Sequence, residues 1–168
     1  ILLKLADMLA LEVVPESIEA YDISNFGSDN ITGAMISVKD ARFVKKNYRL
    51  YKIDGLSSPD DYFSMRNVVE RRLKHTELNY PDLILLDGGK THVAVIRDLL
   101  SENGIDIPVF GMVKDEYHKT RALVSDAEEI SIAKEQSVFQ FIYKIQEEVH
   151  RFAINSMSKA KSKSLKHS

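Results

Sequence analysis

The sequence predicts an α/β fold in which helices flank a mixed sheet of three antiparallel strands followed by parallel strands. Three stretches near the start of the chain suit strands and are separated by short turns, as in an antiparallel meander. Two later stretches are apolar on both faces, as central parallel strands are. Apolar stripes at helical spacing lie between and after these stretches, so helices should cover the sheet.

The composition is that of an ordinary globular protein and narrows the function classes. The 168 residues suffice for one domain with a real core, and 44% are hydrophobic and 29% charged. With a net charge of −2, any nucleic-acid contact must come from local basic clusters. The lack of cysteine excludes disulfides, thiolate metal sites and a thiol nucleophile. No apolar run approaches the ~20 residues of a membrane span, and no signal peptide is visible.

The first half of the chain predicts a helix, three strands and a second helix. The first strand places Ile18, Ala20 and Asp22 on one face. The second helix starts with Ser58 as N-cap, Pro59 at the first helical position and Asp61 completing a pattern like a capping box. The predicted bounds are 1–12 for the first helix, 17–24, 31–39 and about 42–53 for the strands, with turn formers at 25–30, and 58 to about 75 for the second helix.

The second half predicts a buried strand, a helix, a second buried strand, an insertion and a last helix. Asp87 ends the first of these strands and opens a tight Gly88–Gly89 turn. The chain begins in mid-pattern without Met or a helix cap, so we expect a fragment of a longer protein. The predicted bounds are 82–86 and 108–113 for the strands, 90–103 for the first helix, 114–137 for a polar irregular insertion or hairpin, and about 137–157 for the last helix.

This order of elements is that of the ribonuclease H-like fold. In that fold the first strand and the first parallel strand are neighbours, so the carboxylates of Asp22 and Asp87 should converge. His150 lies in the last helix, off the apolar stripe centred on Ile145. Two convergent carboxylates and an imidazole suit a hard divalent metal and phosphodiester hydrolysis.

Each of these residues also has a plain structural interpretation. In the structural interpretation, Asp22 is a solvated residue at a strand end and Asp87 caps the next helix. His150 is either simply exposed or turned to a cleft as a ligand or general base. Asp61 is accounted for by helix capping. Lys90 does not fit the spacing of a phosphate loop. It either contacts a substrate phosphate beside the metal site or is a solvated lysine at the start of a helix.

Three basic groups could follow a phosphate backbone, although each is interleaved with acids, as on a solvated surface. Lys114 is of most interest, because it follows the last apolar strand at the same edge as Asp87. The other histidines lack metal-ligand spacing and are interpreted as surface residues. The basic groups are Lys45, Lys46 and Arg49; Lys114, His118, Lys119 and Arg121; and Arg151, Lys159, Lys161 and Lys163; the other histidines are His75, His92, His118 and His167.

Six segments occur together over residues 18 to about 157. They are IEAYDIS at 18–24, PDDY at 59–62 with Met65, PDLILLDGGK at 81–90, GMVK at 111–114, HKTR at 118–121 and EEVHRFA at 147–153. In order and spacing they resemble the C-terminal endonuclease domain of UvrC, the excinuclease subunit of bacterial nucleotide excision repair. Any one segment would be weak, whereas the set is specific.

The resemblance implies a ribonuclease H-like endonuclease domain at 17–157, between an N-terminal helix or linker at 1–16 and a basic, flexible tail at 158–168. It implies a DNA incision on the 5′ side of a lesion. The implied partners are damaged double-stranded DNA and a UvrB–DNA pre-incision complex in the bacterial cytoplasm, the latter reached through parts of the full protein outside this chain. The implied catalytic residues are Asp22, Asp87 and His150, with Asp61 as a weaker fourth; the first three are the candidate ligands of Mg²⁺ or Mn²⁺, and Lys90, Lys114, Lys119, Arg121 and Arg151 are candidates to bind DNA phosphates.

Two positions depart from the family pattern. Asn25 stands where a histidine is frequent, and Thr91–His92 replaces the usual Gly-Gln. Two alternatives stay open beside a repair nuclease. One is another nuclease of the same fold, such as a ribonuclease or a recombination nuclease, and the other is a non-catalytic module that binds DNA or docks on a partner.

Overall fold

One mixed sheet separates two helical layers in the part of the chain that is described. The structure, a computed structural model, describes residues 1–25, 31–53 and 60–166, with side chains as far as residue 155. The elements are α1 Leu2–Met8, β1 Ser17–Asn25, β2 Ile31–Lys39, β3 Arg42–Phe43, a 3₁₀ turn Lys45–Asn47, β4 Arg49–Ile53, α2 Asp61–Leu73, β5 Leu83–Leu86, α3 Lys90–Glu102, β6 Val109–Lys114, β7 Thr120–Val124, β8 Glu129–Ser131 and α4 Gln136–Lys166.

The strand order confirms the predicted mixed sheet. The order is β3-β2-β1-β5-β6-β7-β8, with β4 also paired to β2. β1 pairs antiparallel with β2, and β5 lies parallel between β1 and β6. The first strand and the first parallel strand are therefore neighbours, as the element order predicted.

Each face of the sheet has its own apolar core. Ile18 and Ala20 of β1 lie in the core formed with α1 and α4, whereas Tyr21 lies in the opposite core with α2 and α3. β5 is buried on both faces, as expected of a central parallel strand. Since side chains alternate along a strand, Asp22 shares the face of Ile18 and Ala20, which is the face that α4 covers.

A buried ion pair fixes α2 to the sheet. Arg72 Nη2 lies 2.9 Å from Glu19 Oε2, and both side chains are almost fully buried. The Tyr21 hydroxyl donates to the same carboxylate at 2.6 Å. The guanidinium also donates to three carbonyls between residues 75 and 79, which ties the loop after α2 to β1.

The prediction of a single strand at about 42–53 is wrong. The chain forms two short strands there, β3 and β4, with the 3₁₀ turn between them. Tyr48 explains the break, because its hydroxyl donates to Glu148 at 2.7 Å and its ring packs 5.0 Å from that of Phe152. These contacts direct the segment towards α4 rather than along the sheet.

The later part of the chain contains more regular structure than predicted. The predicted irregular insertion or hairpin at 114–137 is a hairpin, β7 and β8, which extends the sheet as an antiparallel meander. The last helix runs through Lys166 rather than ending near Met157. The turn residues 26–30 and the proposed cap at Ser58 and Pro59 lie outside the described residues, and the division into segments at 17 and 157 stays a prediction. No helix in the described ranges is long and apolar enough to cross a membrane.

Candidate active site

The two predicted acids lie side by side on neighbouring parallel strands. The register pairs Tyr21 of β1 with Leu86 of β5, so the next residues, Asp22 and Asp87, are adjacent. The Asp87 backbone N–H donates to the Tyr21 carbonyl at 2.9 Å, which continues the pairing by one residue. The pair therefore stands at the carboxyl end of β5, the edge where open α/β sheets place their sites.

Asp22 is the buried member of the pair. Only 5% of the residue is exposed. Loss of water around the carboxylate raises its pKa to about 7, and the neighbouring Asp87 carboxylate adds to this rise. The hydrogen bond to His150 opposes the rise but does not cancel it. The site thus holds a carboxylate that is costly to ionise without a further positive charge.

Two side chains from one face of α4 contact the two acids. His150 Nδ1 lies 3.3 Å from Asp22 Oδ2, with about half of the imidazole side chain exposed. One helical turn earlier, Gln146 Nε2 donates to Asp87 Oδ1 at 3.0 Å. The structure brings together the three residues predicted from sequence and adds Gln146, which the sequence interpretation missed.

Lys114 is the cation nearest to Asp87 among the polar contacts described. Its Nζ lies 3.3 Å from Asp87 Oδ2, and about one third of the side chain is exposed. β6 ends at Lys114 and runs parallel to β5, so the lysine is delivered to the same sheet edge as the acid. This agrees with the position predicted from its place after the last apolar strand.

The other predicted basic residues lie on the exposed surface. Arg121 and Arg151 each have an acidic partner at 2.6 Å, Glu129 and Glu148 respectively. None of these residues contacts the two acids in the hydrogen bonds and ion pairs of the described chain. Those with exposed positions are Lys90, Lys119, Arg121 and Arg151.

The donor set fits a hard divalent cation held partly by other ligands. Among the described residues, no three His, Cys, Asp or Glu side chains are arranged to hold a metal by themselves. Mg²⁺, however, is commonly bound by one or two carboxylates together with water and substrate phosphate. Asp22 and Asp87 supply those two carboxylates, and the raised pKa of Asp22 marks a site where a cation would relieve repulsion.

Comparison with known proteins assigns the chain to a family. The sequence profile of the UvrC RNAse H endonuclease domain matches residues 6–154. UvrABC system protein C of Clostridioides difficile is 45% identical over 162 residues, covering 96% of this chain and 26% of that protein. The same protein of Clostridium acetobutylicum is 39% identical over 186 residues, covering 100% of this chain and 30% of that protein.

The chain belongs to the UvrC RNase H endonuclease domain family. This confirms the resemblance drawn from the six sequence segments, together with the ribonuclease H-like fold. The chain spans 26% and 30% of the length of these two relatives.

Solved structures of endonuclease V are more distant from this UvrC domain. The Ciona intestinalis enzyme in complex with an inosine-containing DNA has a TM-score of 0.46 at 12% identity, covering 60% of this chain and 46% of that one. The catalytic domain of human endonuclease V has a TM-score of 0.42 at 14% identity, covering 73% and 62%. Since both scores are below 0.5, the fold assignment rests on the family match and on the strand order.

His92 is one of the two residues that replace the usual Gly-Gln of UvrC, and its interpretation as a surface residue is wrong. The ring is half-buried, lies 4.6 Å from that of Tyr62, and accepts a hydrogen bond from the Gly89 N–H at 3.3 Å. Burial lowers the pKa of His92, while the charges of Asp61 and Asp87 oppose that shift. The imidazole therefore lies within electrostatic reach of both acids, over the turn that follows Asp87.

Asp61 does not have the capping role expected from sequence. Asp60 caps α2, because its Oδ1 accepts from the backbone N–H groups of Tyr62 and Phe63 at 3.1 Å each. Asp61 is instead the first helical residue and is exposed. Capping therefore no longer accounts for its carboxylate, whose charge raises the pKa of His92 against the effect of burial.

Proposed function

We propose that this domain is a divalent-metal-dependent endodeoxyribonuclease that hydrolyses a phosphodiester on the 5′ side of a DNA lesion in nucleotide excision repair. The observation that carries the proposal is the adjacent carboxylate pair, with Asp22 buried and its pKa raised to about 7. The carboxylate pair supports hydrolysis of a phosphodiester, and the resemblance to UvrC supports incision on the 5′ side of the lesion. Family membership supports a nuclease.

Asp22 and Asp87 would hold Mg²⁺ or Mn²⁺. A cation bound there supplies Lewis-acid stabilisation of the scissile phosphate and lowers the pKa of a bound water. His150 is the proton carrier in this proposal. Its Nδ1 faces Asp22, which leaves Nε2 of the half-exposed ring to take a proton from the attacking water or to give one to the leaving oxygen.

Lys114 neutralises charge beside the reacting phosphate. Its ammonium group already pairs with Asp87 and is partly exposed, so it can also meet an incoming phosphate oxygen. Exposed basic side chains further from the acids would hold the DNA backbone, with Arg121 and Arg151 exchanging their acidic partners for phosphate. The proposed phosphate contacts are Lys90, Lys114, Lys119, Arg121 and Arg151, and Asp61 is kept as a weaker fourth catalytic acid.

The proposed substrate is damaged double-stranded DNA, presented in a UvrB–DNA complex. The names of the relatives, UvrABC system protein C, support this assignment. The chain spans less than a third of their length, and we place the contacts with UvrB in other parts of the full protein as part of this proposal.

The test is the D87N substitution within full-length UvrC, assayed on an end-labelled duplex with a single lesion. We expect loss of the 5′ incision, while far-UV circular dichroism shows an intact fold. The matched control is D106N, which changes an exposed aspartate in the same way. Wild-type incision by D87N would refute the proposal.

Two further measurements separate the alternatives. Preference for RNA–DNA hybrids over lesion-containing duplex would favour another nuclease of this fold. Salt-dependent DNA binding that needs no metal and survives D22N, together with no cleavage, would favour a docking module.

A further inference from the structure

Gln146 is a buried polar residue that contacts the acid pair. Only 3% of the residue is exposed. Its Nε2 donates to Asp87 Oδ1 at 3.0 Å and to the Met112 carbonyl at 3.4 Å. A buried amide is costly unless its polar atoms are paired, so these contacts are part of what allows the residue to lie in the core.

The orientation of the Gln146 amide is fixed from three sides. A backbone carbonyl such as that of Met112 can only accept hydrogen bonds, so the NH₂ group must face it, and the same group donates to Asp87 Oδ1. On the other side, the hydroxyl of the fully buried Thr120 donates to Gln146 Oε1. The amide therefore has one orientation that satisfies all of its partners.

Gln146 and Lys114 divide the two oxygens of Asp87 between them. The amide holds Oδ1, whereas Oδ2 faces the lysine ammonium group. The buried amide at 3.0 Å restrains rotation of the carboxylate about its Cβ–Cγ bond more firmly than the lysine at 3.3 Å, one third of whose side chain is exposed.

We propose that Gln146 is a positioning residue that orients the Asp87 carboxylate for the catalytic cation, with Thr120 fixing the amide. The inference rests on the proposed function. In this proposal two residues of α4, one helical turn apart, each act on one acid, since His150 contacts Asp22 and Gln146 contacts Asp87. Hydrogen-bond partners of metal-ligating groups typically change metal affinity or activity by about 10- to 100-fold when they are lost.

The test is Q146L, which keeps most of the volume and removes the amide. Mn²⁺ binding is measured by electron paramagnetic resonance on the protein without DNA. We expect the Kd for Mn²⁺ to rise about 10-fold or more, and the Mn²⁺ concentration for half-maximal DNA cleavage to rise by the same factor. Cleavage at saturating Mn²⁺ should fall much less, a split that general loosening of the core would not produce.

The matched control is Q140L, the same substitution at an exposed position of α4. It should leave Mn²⁺ binding and cleavage unchanged. If Q146L fails to fold by circular dichroism, T120V decides, because valine keeps the shape of Thr120 but leaves the amide without its fixing partner. We expect T120V to raise the Kd for Mn²⁺ measurably but less than Q146L does, because Thr120 acts on Asp87 only through the amide that it holds.

The outcomes distinguish this inference from the function on which it rests. If the wild-type protein binds Mn²⁺ and D87N abolishes binding, while folded Q146L or T120V binds like wild type, the positioning role is overturned and the nuclease proposal stands. If the wild-type protein binds no Mn²⁺ and D87N cleaves normally, both are overturned.

Discussion

Replacing Asp22 by asparagine tests whether the acid pair is costly to the fold when no cation is bound. The carboxyl pKa is raised from 3.8 to about 7 by burial and by Asp87. A group with a raised pKa in the folded state contributes stability that is complete below the unfolded pKa and is lost as the pH rises through the folded pKa. The metal-free wild-type protein should therefore lose stability between these two values.

The size of the loss follows from the two pKa values. The interval from 3.8 to about 7 corresponds to roughly 4 kcal/mol, since each pH unit is worth about 1.4 kcal/mol. D22N removes the charge but leaves a buried amide beside Asp87 and His150, and imperfect hydrogen bonds there cost about 1–3 kcal/mol. We expect D22N to be more stable than wild type by roughly 1–3 kcal/mol at about pH 8, and less stable by roughly 1–3 kcal/mol at about pH 4, where the Asp22 carboxyl is protonated and only the cost of the amide remains.

The assay is urea unfolding followed by circular dichroism, with a chelator present, at both pH values. D106N serves as the control, because Asp106 is exposed and its loss should not change the pH dependence of stability. The reasoning is refuted if D22N is less stable than wild type at the higher pH. It is equally refuted if the difference between the two proteins is the same at both pH values.

Three further predictions concern the cation, the lysine and the turn after the acid. Mn²⁺ affinity of the wild-type protein should rise with pH up to about 7, where Asp22 loses its proton, and level off above it; calorimetry at several pH values measures this, and a flat profile would contradict it. K114M should raise the KM for DNA about 10-fold, worth about 1.4 kcal/mol, without weakening Mn²⁺ binding in the absence of DNA, because it removes a competing cation. G111A should slow cleavage by about 100-fold, since its Cβ would lie 2.3 Å from the Gly88 carbonyl oxygen and displace that turn. G89A, whose Cβ meets open space, is the control and should cleave at nearly the wild-type rate.

The acid pair could be predicted because its determinants are local. Alternation in β1 assigns Asp22 to one face, and the apolar run of β5 identifies a central strand that ends at Asp87. The neighbouring position of these strands follows because the order of elements is that of the ribonuclease H-like fold. The first two steps use residues within one element, where sequence periodicity is informative.

The parts that were missed depend on tertiary contacts. Gln146 bonds to Asp87 and Thr120, which are 59 and 26 residues away, and nothing near it in the sequence indicates those partners. The only local signal is a polar residue four positions before His150, beside the buried Ile145. His92 was misjudged in the same way, because its burial depends on packing against Tyr62 in another helix.

The charges at the site explain why a fold would keep an acid pair that costs stability. Asp22 and Asp87 contribute two negative charges when ionised, Lys114 contributes one positive charge, and Gln146 adds an oriented dipole but no charge. His150 contacts Asp22, but about half of its side chain is exposed, so water screens the interaction between the two groups. A proton on Asp22 supplies the missing charge near neutral pH, and a divalent cation would supply it by displacing that proton. The same burial that destabilises the bare pair thus strengthens its attraction for a cation, because water screens the interaction less there than at the surface.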